Sequence, residues 1–341
     1  MRRFGAIIFF ILLFSATQFV FAGENLKLVF ALDLVRHGDR NTNHYYPKVS
    51  KTWAKTERGK LTPLGRKEAK SLGKKFWKYY VNEMHLLPEN FQPNLVYVRS
   101  TNFQRTKETA RSLLKGMFPA NSDKINIFVP LAREDILNTI NYRGARNLIT
   151  KEVEEDIANL DKGLLVAIQK QLQKINHIFG TKLSEIYEFS KVADVIKVSK
   201  IHKKPFVKKL SKQTIDKIIA LKSRYMTRYY MHPKMACLYA KNFIIHLANL
   251  LESKQKQKYF LYVAHDSNIM TIVPLLGGAL KQSPPYLSDL RFEVLQDKNQ
   301  KLFVRTSLDG KNIKLCESSN YCPLAEYVRK LRNNVASCEI S

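Results

Sequence analysis

Short apolar runs bounded by polar punctuation recur at 26–35, 95–98, 125–129, 259–264, 290–295 and 302–307. Runs of this kind, with little polar alternation, are the pattern of strands covered by helices on both faces of a mainly parallel sheet. Between them the period becomes helical. Thr62-Pro63 reads as a helix start, with Thr at the N-cap and Pro at the first helical position, and Leu64, Ala69, Leu72, Phe76 and Tyr80 form one stripe ending near Val81. A second helix is predicted over 103–117. From 151 to 253 the pattern is almost wholly helical, with segments at 153–174, 183–198, 214–230 and 235–251; the last leads directly into a strand. The fold class this implies is a three-layer α/β/α sandwich with a mainly parallel sheet plus an inserted α-helical cap subdomain. The expected boundaries are 23–130 and 235–341 for the α/β core and 131–234 for the mostly helical cap insertion.

The first residues break this pattern. Met1-Arg2-Arg3 precedes an apolar stretch from 4 to 14 that stays weakly polar to Ala22, and Val20-Phe21-Ala22 carries small residues at both cleavage-defining positions. This is a basic n-region and an h-region, so 1–22 is expected to be a cleaved signal peptide and the protein to be exported, periplasmic or secreted. Gln18, Ser15 and Thr17 weaken the alternative of a retained anchor, and no later segment reaches spanning length. Four cysteines, Cys237, Cys316, Cys322 and Cys338, suit two disulfides in an exported chain. Three pairings exist. Cys316–Cys322 across a polar loop is the simplest, and Cys237–Cys338 then follows by elimination. No Cys-x-x-Cys or clustered His accompanies them, so zinc is not expected.

Charge adds a constraint on partners. The 341 residues hold 57 Lys+Arg against 29 Asp+Glu, a net charge of +28, or +26 without Arg2 and Arg3. Such a balance attracts polyanions, anionic surfaces or phosphorylated substrates. The densest basic patch is 197–212, read as a solvated face or a docking surface for an acidic partner. No helix-turn-helix, zinc-finger or aromatic RNA motif is present, so no specific nucleic acid is expected.

Three strand ends carry the chemistry. The first delivers Arg36-His37-Gly38-Asp39-Arg40, the second Arg99 ahead of Ser100-Thr101, the third His265-Asp266. Ligands bind at the carboxyl ends of strands in open α/β sheets, so these distant residues are expected to converge. Arg36, Arg40 and Arg99 offer forked donors for a phosphate, and His265 a further donor. His37 is the candidate nucleophile. Asp266 is the candidate general acid and must be protonated for that role, with a bound dianion raising its pKa and the arginines opposing.

The stretch Arg36 to Arg40 resembles the signature of the histidine acid phosphatases, within the histidine phosphatase superfamily. Tyr97-Val98-Arg99-Ser100-Thr101-Asn102-Phe103-Gln104-Arg105-Thr106, Ala264-His265-Asp266, Pro284-Pro285-Tyr286 and Cys316…Cys322-Pro323-Leu324 follow in matching order, the last two resembling the lysosomal and prostatic branch. The likeness covers the mature sheet domain and is weakest in the helical insertion. It implies an acid phosphatase in which His37 is phosphorylated, Arg36, Arg40, Arg99 and His265 bind phosphate, and Asp266 protonates the leaving group. It implies no cofactor and no metal, small phosphomonoester substrates that could include phosphoproteins or nucleotides, and a homodimer as a possible state. Thr42 stands where the family commonly has Pro, and His265-Asp266 leans towards general phosphomonoesters over phytate.

Two other classes stay open: a phosphoglycerate-mutase-like phosphotransferase, and a non-catalytic basic polyanion-binding protein. Among bystanders, Asp39 is read as a turn residue and Arg105 as pairing within its helix or assisting the pocket. His44, Tyr45 and Tyr46 line the mouth or pack the loop, and Tyr142, Arg143 and Arg146 lie within reach at the start of the insertion. His85, His177, His202, His232 and His246 are read as ordinary surface or core residues.

Overall fold

The computed structural model describes residues 26–46, 55–138, 143–316 and 320–338. The expected signal peptide and Tyr142 lie outside these. Among the described residues, no helix is long and apolar enough to cross a membrane.

The central strand β1 (Lys27–Arg36) shows why the molecule is layered. Its side chains alternate between faces. Leu32 and Leu34 enter one buried cluster while Ala31 and Val35 enter another. Apolar residues on both faces call for helices on both sides. One layer holds α1 (Pro63–Trp77), extended by a π-helical turn over Lys78–Glu83, and α2 (Gln104–Met117). The opposite layer holds α7 (Pro233–Glu252), α8 (Asp266–Leu275) and α9 (Leu324–Ala336).

The other strands are β2 (Val96–Ser100), β3 (Ile127–Phe128), β4 (Tyr259–Ala264), β5 (Asp289–Gln296), β6 (Leu302–Leu308), β7 (Lys311–Ile313) and β8 (Cys322–Pro323). Their order is β3-β2-β4-β1-β5-β6-β7, with β8 against β6. The half from β3 to β1 is parallel, and β5 to β8 add an antiparallel flank.

Five consecutive helices follow β3: α3 (Arg143–Leu160), α4 (Lys162–Phe179), α5 (Ile186–Ile201), α6 (Lys212–Met231) and then α7. The first four bury a separate apolar cluster that includes Val153, Ile168, Phe189, Val192 and Ile218. The expected single helix over 153–174 is two helices. Asp161 leaves helical geometry (φ −147°, ψ 61°), and its buried carboxylate meets Arg224 of α6 at 2.6 Å. The helix α8 escaped the sequence reading because it is buried nearly all round and shows no polar face. β7 and β8 are too short to register as apolar runs.

Both disulfides form, Cys237–Cys338 and Cys316–Cys322, with Cα separations of 5.2 and 5.6 Å. The first ties the segment just after α9 to α7.

One buried ionic brace spans the sheet and the α1 layer. Asp33, fully buried in β1, accepts from the hydroxyls of Tyr80 (2.8 Å) and Tyr259 (2.9 Å) and from Arg291 Nε (2.8 Å). Arg291 reaches on to Asp289 and lies over the rings of Phe76, Tyr79 and Tyr80. Removing one partner of such a set strands the others without water. Asp33→Ala is therefore expected to cost about 3–5 kcal/mol of stability, read as a lowered urea midpoint; an unchanged midpoint would contradict the brace.

Candidate active site

Strand register aligns the three polar ends. β4 lies between β1 and β2, with Ala264 opposite Arg36 and Val263 opposite Ser100. Main-chain bonds continue the alignment: His37 N–H donates to the Ala264 carbonyl (2.9 Å) and Thr101 N–H to that of Val263 (3.3 Å). His37, Thr101 and His265 thus leave the sheet side by side, and the His37 and His265 ring centroids are 5.5 Å apart.

His37 is 2% exposed, and its Nδ1 lies 2.9 Å from the Gly38 carbonyl oxygen. A carbonyl only accepts, so Nδ1 carries the proton and Nε2 keeps a lone pair. Burial, then Arg105, Arg36, His265 and Arg40, hold the imidazole well below its usual pKa. The ring is neutral at physiological and mildly acidic pH. The loop beneath it demands small residues. Gly38 N–H donates to Thr109 Oγ1 of α2 (3.0 Å). A Cβ on Gly65, in the first turn of α1, would come 2.3 Å from the Asp39 carbonyl oxygen, so only glycine lets that helix start beneath the loop.

Three guanidinium groups surround this imidazole, and one differs from expectation. Arg36, the last residue of β1, donates to the Pro284 carbonyl (2.5 Å), pairs with Asp266 (2.8 Å) and lies 4.4 Å from the Tyr286 ring centroid. Arg40 makes a two-pronged pair with Asp194 of α5 (3.0 and 3.1 Å). Arg99, expected in the phosphate pocket, is not there. Its side chain projects to the α7 face of the sheet, where it pairs with Asp135 (3.1 Å) and lies near the Phe128 and Tyr262 rings. A residue inside a strand takes the face its alternation dictates. The turn after β2 brings Arg105, at the start of α2, into the site. Its Nη2 donates to His265 Nδ1 (3.3 Å), and among charged groups it depresses His37 most.

His265, expected as a further phosphate donor, makes contacts of its own within the site. With Nδ1 accepting from Arg105, its Nε2–H is turned to Thr101 Oγ1 (3.1 Å), so the ring braces Arg105. Asp266 opens α8. Burial would raise its carboxyl, but Arg36, then Lys222, Arg40 and His265, outweigh that and hold it at about 2. Without ligand it is ionised. Asp39 does more than turn the chain: its Oδ2 accepts from Thr62 (2.5 Å) and lies 2.7 Å from His202 Nε2, joining the motif loop to the end of α5. His202 had carried no expectation of a role. His246 is a packing residue, stacked on Tyr262.

Above the crevice lies a pocket of about 540 Å³, with Arg36, Arg40, Asp266 and Tyr286 at its base. Its walls come largely from the inserted helices: Arg146, Tyr187, Lys191, Lys197, Ile219, Lys222, Tyr225, Met226, Tyr229 and Tyr230. His44 lines it too, and burial depresses that imidazole to about 4. Lys197, assigned to the basic patch 197–212, lines this pocket 5.6 Å from the Tyr286 ring centroid, and burial followed by Arg36 and Lys222 lowers it to about 8. Sequence reasoning missed Asp194 and Lys222 as site residues; the only trace is Asp194 and Lys197 three apart on one helical face.

Residues 14–309 match the family described as histidine phosphatase superfamily, branch 2. A bovine lysophosphatidic acid phosphatase type 6 is 26% identical over 288 residues, 80% of this chain and 66% of the bovine protein. A putative acid phosphatase of Caenorhabditis elegans is 39% identical over 99 residues, 28% of this chain and 23% of its own length. Among solved structures, a Klebsiella phytase superposes with a TM-score of 0.73 at 18% identity, covering 91% of this chain and 96% of the phytase.

The exchange of Arg99 for Arg105 is directly checkable. Arg105→Met is expected to weaken binding of inorganic phosphate at least about tenfold, the loss of a charge-assisted bond. Arg99→Met should leave that affinity near wild type while lowering the melting temperature. Calorimetric titration with phosphate reads both, and the reverse pattern would restore Arg99 to the site.

Proposed function

The chain belongs to branch 2 of the histidine phosphatase superfamily, and we propose that it hydrolyses phosphate monoesters by passing the phosphoryl group through His37. The observation that carries this reading is the His37 imidazole: its Nδ1 proton is held by a main-chain carbonyl, its Nε2 has no hydrogen-bond partner among the described residues, and Arg36, Arg40 and Arg105 crowd around it.

In the proposed first step Nε2 attacks phosphorus in line, the bond from phosphorus to the ester oxygen breaks, and that oxygen takes a proton from Asp266. In the second, water attacks the phosphohistidine, the bond from nitrogen to phosphorus breaks, and Asp266 accepts the water's proton. Arg36, Arg40 and Arg105 hold the non-bridging oxygens, whose growing charge they stabilise. His265 keeps Arg105 in place.

Asp266 needs a proton at the start, and its low pKa without ligand sets how it is obtained. A substrate dianion draws Arg36 away from Asp266 and adds like charge, both of which raise the carboxyl. A phosphomonoester monoanion brings the missing proton itself. The second phosphate pKa is near 6, so turnover is favoured on the acid side of that value. His37 does not oppose this, because its own pKa is depressed and it stays unprotonated there.

The pocket wall supports a reading of the leaving group. Ile219, Met226 and the tyrosines at 225, 229 and 230 suit an apolar or aromatic portion, while Lys191 and Lys197 add positive charge to the wall. Lysophosphatidic acid, the substrate in the bovine relative's name, fits this description. The helices over 143–231 act as the cap that selects it. We place the enzyme outside the cytosol on the strength of its leader-like first 22 residues and its two disulfides.

His37→Ala should lower kcat by a factor on the order of 10³ or more; residual activity of a tenth would end the covalent reading. Asp266→Asn should slow alkyl phosphates by about 10²–10⁴ and nitrophenyl phosphate far less, and equal losses would remove Asp266 as the acid. The pH profile of kcat/KM should fall as pH rises through about 6. A profile rising into alkali would reverse the proton assignment.

A further inference from the structure

The cradle contains an anion that the chemistry above does not use. Asp194 lies on α5 with its side chain 7% exposed. Both its oxygens receive the terminal fork of Arg40, at 3.0 and 3.1 Å, and Lys222 of α6 adds a contact at 2.9 Å. Arg40 Nη1 also donates to the Asn41 carbonyl (3.0 Å), and Arg40 Nε is buried with no hydrogen-bond partner among the described residues. One forked edge of Arg40, Nη1/Nη2, is therefore occupied by a carboxylate, a group whose geometry matches that of phosphate.

The pattern is paired. Asp266 sits on Arg36 and Asp194 sits on Arg40. Asp266 exchanges a proton with the reacting groups in the proposed cycle. Asp194 stays ionised, because Arg40 and Lys222 hold its carboxyl well below the usual range against the upward push of burial. Its charge is therefore a constant of the site. Arg36, Arg40, Arg105, Lys197 and Lys222 together would grip a dianion strongly, and inorganic phosphate is both the product and the smallest such ligand.

We propose that Asp194 is an internal counter-anion that competes with phosphate for Arg40 and so keeps the affinity for released phosphate low. It is a positioning and tuning residue, contributed by the inserted helices to a motif at the sheet edge. The inference rests on the phosphate cradle proposed above.

The experiment is phosphate binding by calorimetry and product inhibition with nitrophenyl phosphate as substrate. Asp194→Asn keeps the shape and removes the charge. Phosphate should bind roughly tenfold more tightly, as expected for losing one nearby negative charge in a partly screened site. KM should fall with it, and kcat should not rise. Asp194→Ser gives the same sign and covers the case in which the Asn variant does not fold. Asp194→Glu retains the charge and should bind phosphate as the wild type does. Phosphate affinity unchanged or weakened in the Asn or Ser variant would overturn the proposal, since Asp194 would then orient Arg40 for phosphate. Tighter binding in the Glu variant would also overturn it, by making the effect one of packing. Wild-type protein that neither binds phosphate nor turns over the ester would instead overturn the function itself.

Discussion

Crowding of positive charge at the carboxyl edge of the sheet is the constraint on which the site depends. Arg36, Arg40 and Arg105 approach one buried imidazole, with Lys197 and Lys222 close behind. Guanidinium groups do not shed protons, so the strain of bringing them together must be met elsewhere. Three adjustments meet it. His37 stays neutral, Asp266 stays ionised against the effect of its own burial, and Asp194 reaches in from another part of the chain. On the proposed function, a phosphate dianion entering the site would offset the same excess of positive charge.

The frame that gathers these charges is main-chain register. Parallel pairing fixes Ala264 against Arg36 and Val263 against Ser100, so the three strand ends are level before any side chain is considered. Below this edge the Asp33–Arg291 brace ties β1 and β4 to the α1 layer and to β5. His37 thus follows directly on a strand clamped only four residues upstream of it.

Much of the sandwich was legible in the sequence because an apolar run in a doubly covered strand depends only on local composition. Tyr259–Ala264 and the α2 region are cases where the pattern and the element agree within a residue. What could not be read was direction. Arg99 and Arg105 lie six residues apart in one motif, and no local pattern says that the first turns to the α7 face while the second turns to His37. Long-range pairing was equally hidden. Asp194 reads as an ordinary helix position and His202 as an ordinary surface or core residue, and their meaning comes only from contacts with Arg40 and Asp39. The break at Asp161 belongs to the same class, since its partner Arg224 is distant in sequence.

The hydrogen bond from His37 Nδ1 to the Gly38 carbonyl has a bearing on how long an adduct at Nε2 would last. A carboxylate in that position could draw off the ring proton as the phosphoryl group arrives; an amide oxygen is far too weak a base to do so. Phosphorylated there, the ring would remain an imidazolium, with no anion against Nδ1 among the described residues. A cationic ring departs from phosphorus readily, so the stored intermediate would be built for rapid discharge rather than for accumulation.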